Sequence, residues 1–328
     1  MQRNNIEQQQ LADCHDIIEK CKSEFSKRII GQDELFDGIM TAFIAKGHVL
    51  LEGVPGLAKT LSVKTFAEIS SLDFKRIQFT PDLLPADVSG TLIYEQGKFS
   101  VRKGPVFTNV VLADEINRAS AKVQSAMLEA MEEKQVTIGE QSYKLPDPFF
   151  VLATQNPIEQ EGTFHLPEAE LDRFLLKLIV PYPHPDDELA IVRTAGDAPL
   201  VPVHRILFPS DIAKLRQVLS KIVCDDSIVA YIVSIISVTR PSNQKKANEH
   251  DVTRYISFGA SPRAGIALLQ CAKARALFAG RSFVLPEDVK VATPSVLRHR
   301  LVLSYEAAAD SVTSDTIISR ILDFVPVP

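Results

Sequence analysis

Residues 48–60 read HVLLEGVPGLAKT, and this stretch decides the fold. The apolar run 48–52 predicts a buried strand of a parallel sheet, and the segment 61–69 predicts a helix. Gly53 and Gly56 allow the loop between the strand and the helix to turn its backbone N–H groups inward, towards an anion. The positive end of the helix dipole attracts an anion to the same place. A strand, a glycine-bearing loop and a helix in this order predict a phosphate-binding loop.

The last residues of the stretch support this interpretation chemically. Lys59 can place a cation on terminal phosphates, and the Thr60 hydroxyl can ligate Mg²⁺. A simple glycine-rich turn would not explain this Lys-Thr pair. The usual pattern, G-x-x-x-x-G-K-[ST], has glycine where this chain has Ala58. Alanine suits that position if its conformation is helical, whereas a positive φ would strain it.

The bulk composition sets the class of protein. A length of 328 residues exceeds one usual domain and predicts two. Apolar residues at 45% and charged residues at 23% are typical of a soluble globular protein. A net charge of −5 with an isoelectric point near 5.9 argues against tight, sequence-independent binding to nucleic acid, which needs a basic face.

Cysteine usage and hydropathy predict the compartment. The four cysteines are too scattered for a zinc site and too few for a disulfide framework, which indicates free thiols in a reducing compartment. The polar start, MQRNNIEQQQ, does not resemble a signal peptide, and the longest apolar run, 228–238, is too short to span a bilayer. We therefore expect a cytoplasmic protein.

Strand and helix patterns alternate along the first half of the chain. Further buried strands are predicted at 74–79, 109–113, 149–153 and 178–180, and helices at 11–27, 33–46, 120–134 and 168–177. Such alternation predicts a parallel sheet covered by helices on both faces. Two shorter pairs of strands, within 81–106 and 136–145, do not belong to this pattern and predict inserted β-hairpins.

A proline cluster at 181–185 marks the predicted domain boundary. Beyond it, helical periodicity dominates and predicts a small helical bundle, with helices at 186–194, 210–222, 226–240, 262–279 and 286–298. The expected organisation is a polar tail and amphipathic helix at 1–28, an α/β nucleotide-binding core at 29–182 and a helical domain at 183–328.

Two carboxylates follow the predicted strand at 109–113, at the edge where parallel sheets bind ligands. A carboxylate at such a position can orient Mg²⁺, usually through water. A second can align the water that attacks a γ-phosphate. We assign Asp114 to the metal and Glu115 to the general base. Alone, the pair would be better explained as a solvated start of the next helix, but the phosphate loop upstream favours the site.

Three further residues are candidates for the same site, and each has a structural alternative. Asn156 could bond the γ-phosphate or the attacking water, or form the turn before Pro157. Arg173, expected on a helix, could stabilise a transition state in a neighbouring subunit or pair with Glu170 at i−3. Arg263 starts a helix, where a cation is unfavourable unless an anion is near, so a phosphate partner would explain it.

Together these segments resemble the AAA+ ATPases, and more narrowly the MoxR family, over about residues 29–302. The motifs that carry the resemblance are IIGQDE at 29–34 (adenine side), GVPGLAKT at 53–60 (Walker A), LADEINRA at 112–119 (Walker B), ATQNP at 153–157 (sensor 1), LPEAELDRF at 166–174 (arginine finger) and GASPRA at 259–264 (sensor 2). The family's Walker A loop also carries the alanine found here. The catalytic residues that the resemblance implies are Lys59, Glu115, Asn156, Arg173 and Arg263.

The resemblance also implies the ligands, ATP and Mg²⁺. The implied metal ligands are Thr60 and Asp114. The implied nucleotide contacts are Ile30, Gly31, Gly53, Val54, Pro55, Gly56, Leu57, Ala58, Lys59, Thr60 and Leu61. The inserted hairpins are similar to the helix-2 insert and pre-sensor hairpin of one AAA+ clade, which includes magnesium-chelatase subunits and replicative helicases. The implied fold is an α/β P-loop AAA+ domain, with a parallel sheet and two inserted hairpins, followed by a small all-α lid domain.

The function that the resemblance implies is an ATP-hydrolysing motor that remodels, matures or metal-loads protein clients. It implies a hexameric ring with nucleotide between subunits, and a partner bearing a von Willebrand factor A domain. Two alternatives stay open. One is a nucleotide-gated binding module with little turnover of its own. The other is a DNA-translocating helicase, which would need basic hairpin tips, whereas the second hairpin offers Gly139, Glu140 and Gln141.

Overall fold

The structure is a computed structural model, and it describes residues 8–95, 97–157, 164, 166–194, 200–241 and 252–328. The first seven residues of the predicted polar tail therefore lie outside the described part. Among the described helices, none combines the length and the apolar character needed to cross a membrane.

The chain divides into two compact units. The α/β unit comprises residues 19–174 and 178–210. The helical unit comprises residues up to 18, 175–177 and 211–328. The organisation predicted at 1–28, 29–182 and 183–328 stays a prediction.

The secondary structure alternates as expected in the α/β unit and is mainly helical afterwards. The strands are β1 (Val49–Glu52), β2 (Phe74–Gln78), β3 (Gly90–Glu95), β4 (Lys98–Lys103), β5 (Val110–Asp114), β6 (Gln135–Ile138), β7 (Gln141–Lys144), β8 (Phe150–Gln155), β9 (Leu176–Ile179), β10 (Ile256–Phe258) and β11 (Val302–Leu303). The helices are α1 (Gln8–Ser26), α2 (Asp33–Ile44), α3 (Lys59–Ile69), α4 (Pro85–Ser89), α5 (Ala121–Glu133), α6 (Glu168–Leu171), α7 (Pro185–Thr194), α8 (Pro209–Lys221), α9 (Asp226–Val238), α10 (Pro262–Phe278), α11 (Pro286–Leu297), α12 (Tyr305–Ala309) and α13 (Ser314–Phe324).

The five predicted buried strands form one sheet in the order β2-β5-β8-β1-β9. The ladders β2–β5, β5–β8 and β8–β1 are parallel, so the carboxyl ends of these strands meet at one edge. Every residue of β5 is buried, as expected of a strand covered on both faces. The predicted α/β architecture with a parallel sheet is confirmed.

Helices pack on both faces of this sheet because strand side chains alternate between faces. On one face, the rings of Phe43 on α2 and Phe66 on α3 lie 5.3 Å apart, and Phe150 of β8 lies 5.3 Å from Phe43. On the other face, Val151 of β8 belongs to the same buried cluster as Met127 of α5. The sheet edge that carries the candidate site is thus held from both sides by packed side chains.

His48 is a buried polar residue that joins three elements. The backbone N–H of Val151 donates to its Nδ1 at 3.0 Å, so Nε2 carries the proton and donates to the Met131 carbonyl at 3.2 Å. Burial lowers the pKa of His48 from 6.5 to about 4. The imidazole is therefore neutral in the folded protein near neutral pH.

We expect His48 to make folding stability depend on pH. The folded pKa lies below the unfolded value, so its contribution is fully present above pH 6.5 and is lost as the pH falls from 6.5 towards 4. From pH 7.5 to pH 5, this histidine should cost about 2 kcal/mol of unfolding free energy. Urea denaturation of wild type and His48→Asn at both pH values measures it. The variant should lose less stability on acidification, whereas the exposed-site control His184→Asn should match wild type. Equal losses in both variants would contradict the assignment.

Both predicted hairpins are present as antiparallel pairs, β3–β4 and β6–β7. Tyr94 and Phe99 are cross-strand partners in the first hairpin, with ring centroids 4.9 Å apart, and both side chains are exposed. The hairpins contact each other at two places. At the first, a Cβ added to Gly139 would lie 2.5 Å from Cδ1 of Leu92. At the second, the Lys103 ammonium lies 5.9 Å from the centroid of the Tyr143 ring.

The predicted helix at 168–177 is wrong in its second half. The observed α6 ends at Leu171, a turn follows, and β9 begins at Leu176. The apolar run that suggested helical periodicity serves as an edge strand instead, and the N–H of Val180 just beyond it donates to the Glu52 carbonyl at 2.7 Å. Tertiary pairing has overridden a local preference here.

The helical unit contains the helices predicted at 210–222, 226–240, 262–279 and 286–298, whereas the helix predicted at 186–194 is observed as α7 in the α/β unit. The helical unit also has one feature that the pattern does not predict. β10 and β11 form a two-stranded antiparallel ladder. They have only three and two residues, which is too short for an alternating pattern to be recognised. Arg298 donates to the Lys177 carbonyl and Arg300 to the Leu175 carbonyl. These bonds join segment 175–177 to the rest of the helical unit.

Candidate active site

The loop between β1 and α3 has a backbone shaped by two glycines. Gly56 has φ +91°, a conformation that favours glycine. Gly53 has a different reason for lacking a side chain, since a Cβ there would lie 2.9 Å from the Val180 carbonyl oxygen. The loop therefore combines an unusual turn with close backbone packing against the end of the sheet.

Ala58 does not have the helical conformation that would suit an alanine at this position. It has φ +53° and ψ +18°, in the left-handed region, and directly precedes α3. This conformation costs an L-residue about 1 kcal/mol or more. The Ala58 carbonyl accepts the N–H of Ser62 at 2.8 Å, but no side chain caps the start of α3 among the described contacts. The first-turn N–H groups of α3 are thus suited to bind an anion.

Lys59 begins α3 and folds back on the loop. Its Nζ donates a very short hydrogen bond to the Gly53 carbonyl. Burial lowers the pKa of Lys59, while three carboxylates oppose that shift, those of Asp114, Glu115 and Glu52. The Lys59 ammonium thus interacts electrostatically with both the predicted metal ligand, Asp114, and the predicted general base, Glu115. Thr60 follows on the first turn with an exposed side chain.

Asp114 ends β5 with both carboxylate oxygens hydrogen-bonded. Its Oδ1 accepts from the Thr154 hydroxyl at 2.6 Å. Its Oδ2 accepts from Arg76 of β2 twice, from Nε at 2.9 Å and from Nη2 at 2.6 Å. The residue is buried, so the carboxylate orientation is fixed by β8 on one side and β2 on the other.

Glu115 follows β5 in the left-handed conformation, with φ +56°. Its backbone N–H donates to the same Thr154 oxygen at 2.8 Å. Its Oε2 accepts from Gln78 Nε2 at 2.9 Å and pairs with Arg118 Nε at 3.1 Å. One threonine hydroxyl therefore positions both residues of the acidic pair. The sequence patterns do not single out Arg76, Gln78 or Thr154. Their positions on or directly after the predicted strands that form β2 and β8, which flank β5, were the signal that could have identified them.

Asn156 follows β8 at the same edge and is buried. Its carbonyl accepts from the Asn117 side chain at 3.4 Å, which links the ends of β8 and β5. The Oδ1 of Asn117 is buried without a hydrogen-bond partner among the described atoms. The geometry therefore places Asn156 at the predicted edge, and its contact with a phosphate or a water stays a prediction.

Arg173 lies in the turn after α6 rather than on a helix. Its Nε forms an ion pair with Glu132 of α5 at 2.9 Å. The predicted alternative, a pair between Arg173 and Glu170, is not among the ion pairs that the structure describes. Oε2 of Glu170 is buried without a hydrogen-bond partner among the described atoms. Burial raises the pKa of Glu170, against the opposing effect of the Arg173 charge. The described contacts thus hold Arg173 against α5.

The remaining predicted residues lie in two places. Ile30 is half-buried, and Gly31 has φ +70°, with the Asp187 carboxylate of α7 packed so closely that a Cβ would lie 2.2 Å from Oδ2. Arg263 belongs to the helical unit, where it is an exposed residue in the first turn of α10, directly after Pro262. Its role at the nucleotide stays a prediction.

Thr60 and Asp114 offer the hydroxyl and carboxylate oxygens that Mg²⁺ prefers. No group of three or more potential ligands among His, Cys, Asp and Glu occurs in the described part of the chain. A small number of protein ligands is typical of Mg²⁺ sites, because the ion keeps several waters and its remaining ligands are usually substrate phosphates. The residues present therefore fit this metal.

A phosphate-binding loop after β1, an acidic pair at the end of β5 and a following helical unit define a P-loop ATPase of the AAA class. β8 lies between β1 and β5 in the sheet. Residues 48–176 match the family described as "ATPase family associated with various cellular activities (AAA)", and residues 248–321 match the "AAA lid domain". The chain belongs to the MoxR family of AAA+ ATPases.

Chaperone MoxR1 of Mycobacterium tuberculosis is 47% identical over 313 residues, which cover 95% of this chain and 82% of that protein. Protein MoxR of Methylorubrum extorquens is 30% identical over 343 residues, covering 97% of each chain. The crystal structure of a presumed ATPase from Cytophaga hutchinsonii superposes with a TM-score of 0.89 at 45% identity, covering 98% of this chain and 97% of the other.

Proposed function

We propose that this chain is an ATP-hydrolysing motor of the chaperone type that remodels or helps mature protein clients in the cytoplasm. The observation that carries the proposal is the joint positioning of Asp114 and Glu115 by the Thr154 hydroxyl, within electrostatic reach of Lys59. A metal-orienting carboxylate, a base and a phosphate cation are the groups that nucleotide hydrolysis needs.

The loop and the first turn of α3 would hold the triphosphate through backbone N–H groups. Lys59 would leave the Gly53 carbonyl and place its charge on the terminal phosphates. Thr60 and Asp114 would hold Mg²⁺, which when bound neutralises charge on the phosphate oxygens. The adenine would lie beside Ile30 and Gly31.

Glu115 would accept a proton from the attacking water. As the water oxygen bonds to the γ-phosphorus, the bond from phosphorus to the bridging oxygen breaks, and ADP and inorganic phosphate leave. Gln78 and Arg118 hold Oε2 of this glutamate, so its carboxylate is oriented before substrate binds. Asn156 would position the water or the γ-phosphate from the end of β8.

The assembly that we propose is a ring of six subunits, with each site completed by a neighbour. Arg173 would act in the neighbouring site and Arg263 in the lid. The proposed partners are protein clients, some of them metal-loaded, and a protein with a von Willebrand factor A domain. This part of the proposal is supported by the family and by the relative named Chaperone MoxR1.

Lys59→Ala is expected to weaken nucleotide binding by about 10- to 100-fold, because a charge-assisted hydrogen bond to phosphate is lost. Titration with a fluorescent ATP analogue in Mg²⁺ measures the dissociation constant. Lys64→Ala is the matched control, since Lys64 lies on the same helix with an exposed side chain. Unchanged affinity in Lys59→Ala would contradict the assignment of the loop.

A nucleotide-gated binding module is the second candidate. It is favoured by two contacts within the site. Lys59 donates to the carbonyl of Gly53 in its own loop, and Arg76 donates to the carboxylate of Asp114. Such a module would bind ATP tightly and hydrolyse it negligibly, even when assembled. Measured turnover by the wild-type protein therefore decides between the two functions.

A further inference from the structure

Arg76 makes contacts that the catalytic assignment does not use. Thr154 occupies Oδ1 of Asp114, and Arg76 donates twice to the remaining oxygen, Oδ2. A guanidinium keeps its charge at all accessible pH values and can form two bonds to one carboxylate. The carboxylate that would face Mg²⁺ therefore already has a cation bound to it.

The Arg76–Asp114 pair is asymmetric in its exposure. The Arg76 side chain is 49% exposed, whereas that of Asp114 is 11% exposed. A half-exposed arginine contributes little net stability through such a pair, since solvent screens it. It can also leave at low cost, because its head group is close to water. The buried carboxylate, in contrast, stays in place and needs a cation near it.

Arg76 is also connected to the general base. Its Nη2 donates to Oε1 of Gln78 at 2.5 Å, and Nε2 of the same amide donates to Glu115. One amide thus lies between the cation on Asp114 and the carboxylate of Glu115. Movement of Arg76 would remove one of the two partners that fix this amide.

The geometry points to Arg76 as a resident counter-charge that competes with Mg²⁺ for Asp114 and so raises the Mg²⁺ concentration needed for nucleotide binding. This inference rests on the proposed function. Mg²⁺ held by Asp114, directly or through water, would weaken the contact between the guanidinium and Oδ2, because the two cations repel each other. The release of Arg76 also frees Gln78, so metal binding is linked to the orientation of Glu115.

The test is a Mg²⁺ titration of fluorescent ATP-analogue binding to full-length wild type and Arg76→Gln. The Mg²⁺ midpoint of the variant should fall by about three- to tenfold, since one competing charge is removed near the surface. Lys75→Gln is the matched control, because Lys75 is exposed on the same strand and its side chain points to the opposite face. Its midpoint should equal that of wild type.

Arg76→Lys should give an intermediate midpoint, because it keeps the charge but not the two-donor fork. It also carries the test if melting curves show that Arg76→Gln does not fold. An unchanged or higher midpoint in both Arg76 variants would overturn the inference while the proposed function stands. Absence of nucleotide binding by wild type at every Mg²⁺ concentration would overturn the proposed function and this inference together.

Discussion

Glu115→Gln is expected to reduce ATP turnover by about 10²- to 10⁴-fold while ATP binding persists, because the amide cannot accept the proton of the attacking water. The substitution preserves the shape of the side chain at a site where Oε2 has two donors, Gln78 and Arg118. Steady-state phosphate release and nucleotide titration of the same preparation measure both quantities.

A matched variant separates the base from a general effect of charge. Glu129→Gln removes an equal charge from an exposed position on α5 and should leave turnover unchanged. If Glu115→Gln hydrolyses ATP at the wild-type rate, Glu115 is not the base. If wild type itself shows negligible turnover in the assembled state, the gated-module function replaces the motor.

Arg173→Ala is expected to lower turnover by about 10³-fold or more, the effect of losing an arginine that stabilises transition-state charge from a neighbouring subunit. For wild type, turnover per chain should rise with protein concentration as sites form between subunits, whereas the variant should stay flat. Phosphate release measured over a dilution series gives both curves.

Glu132 supplies the control for Arg173. Its carboxylate is the observed partner of Arg173, so Glu132→Gln breaks the ion pair and leaves the arginine present. If Arg173 acts in a neighbouring site, Glu132→Gln should retain most of the activity. Equal loss in both variants would show that the ion pair matters for folding instead.

Mixing two inactive variants tests the same point in a different way. Assemblies of Arg173→Ala with Glu115→Gln contain some sites with an intact glutamate and an intact neighbouring arginine. Turnover should therefore recover on mixing. A mixture as inactive as its components, despite assembly shown by sedimentation, would place Arg173 in its own chain's site or remove it from catalysis.

The sheet could be predicted from sequence because its strands carry a strong local signal. The residues at 49–51 and 110–113 are all apolar, which is typical of strands buried on both faces. The loop between β1 and α3 was predictable for a chemical reason, since Lys59 and Thr60 follow the glycines at fixed spacing. These features depend on residues close together in the chain.

The features that could not be predicted depend on contacts between distant segments. Residue 173 was placed on a helix because the pairing that makes β9 a strand lies far away in sequence, at Glu52. The positive φ of Ala58 has no signal in a residue type that normally avoids it. Arg76 was overlooked because its partner, Asp114, lies 38 residues away and is reached only through strand pairing.

The double contact between the hairpins has a mechanical consequence. Because Leu92 packs on Gly139 and the Lys103 ammonium lies over the Tyr143 ring, a displacement of the first hairpin would disturb its contacts with the second. The second hairpin continues directly from α5, a 13-residue helix about 20 Å long. That helix starts just beyond the end of β5, so it acts as a stiff rod between the acidic pair and the hairpins. A rotation at the end of β5 would therefore also move the base of the second hairpin, about 20 Å away.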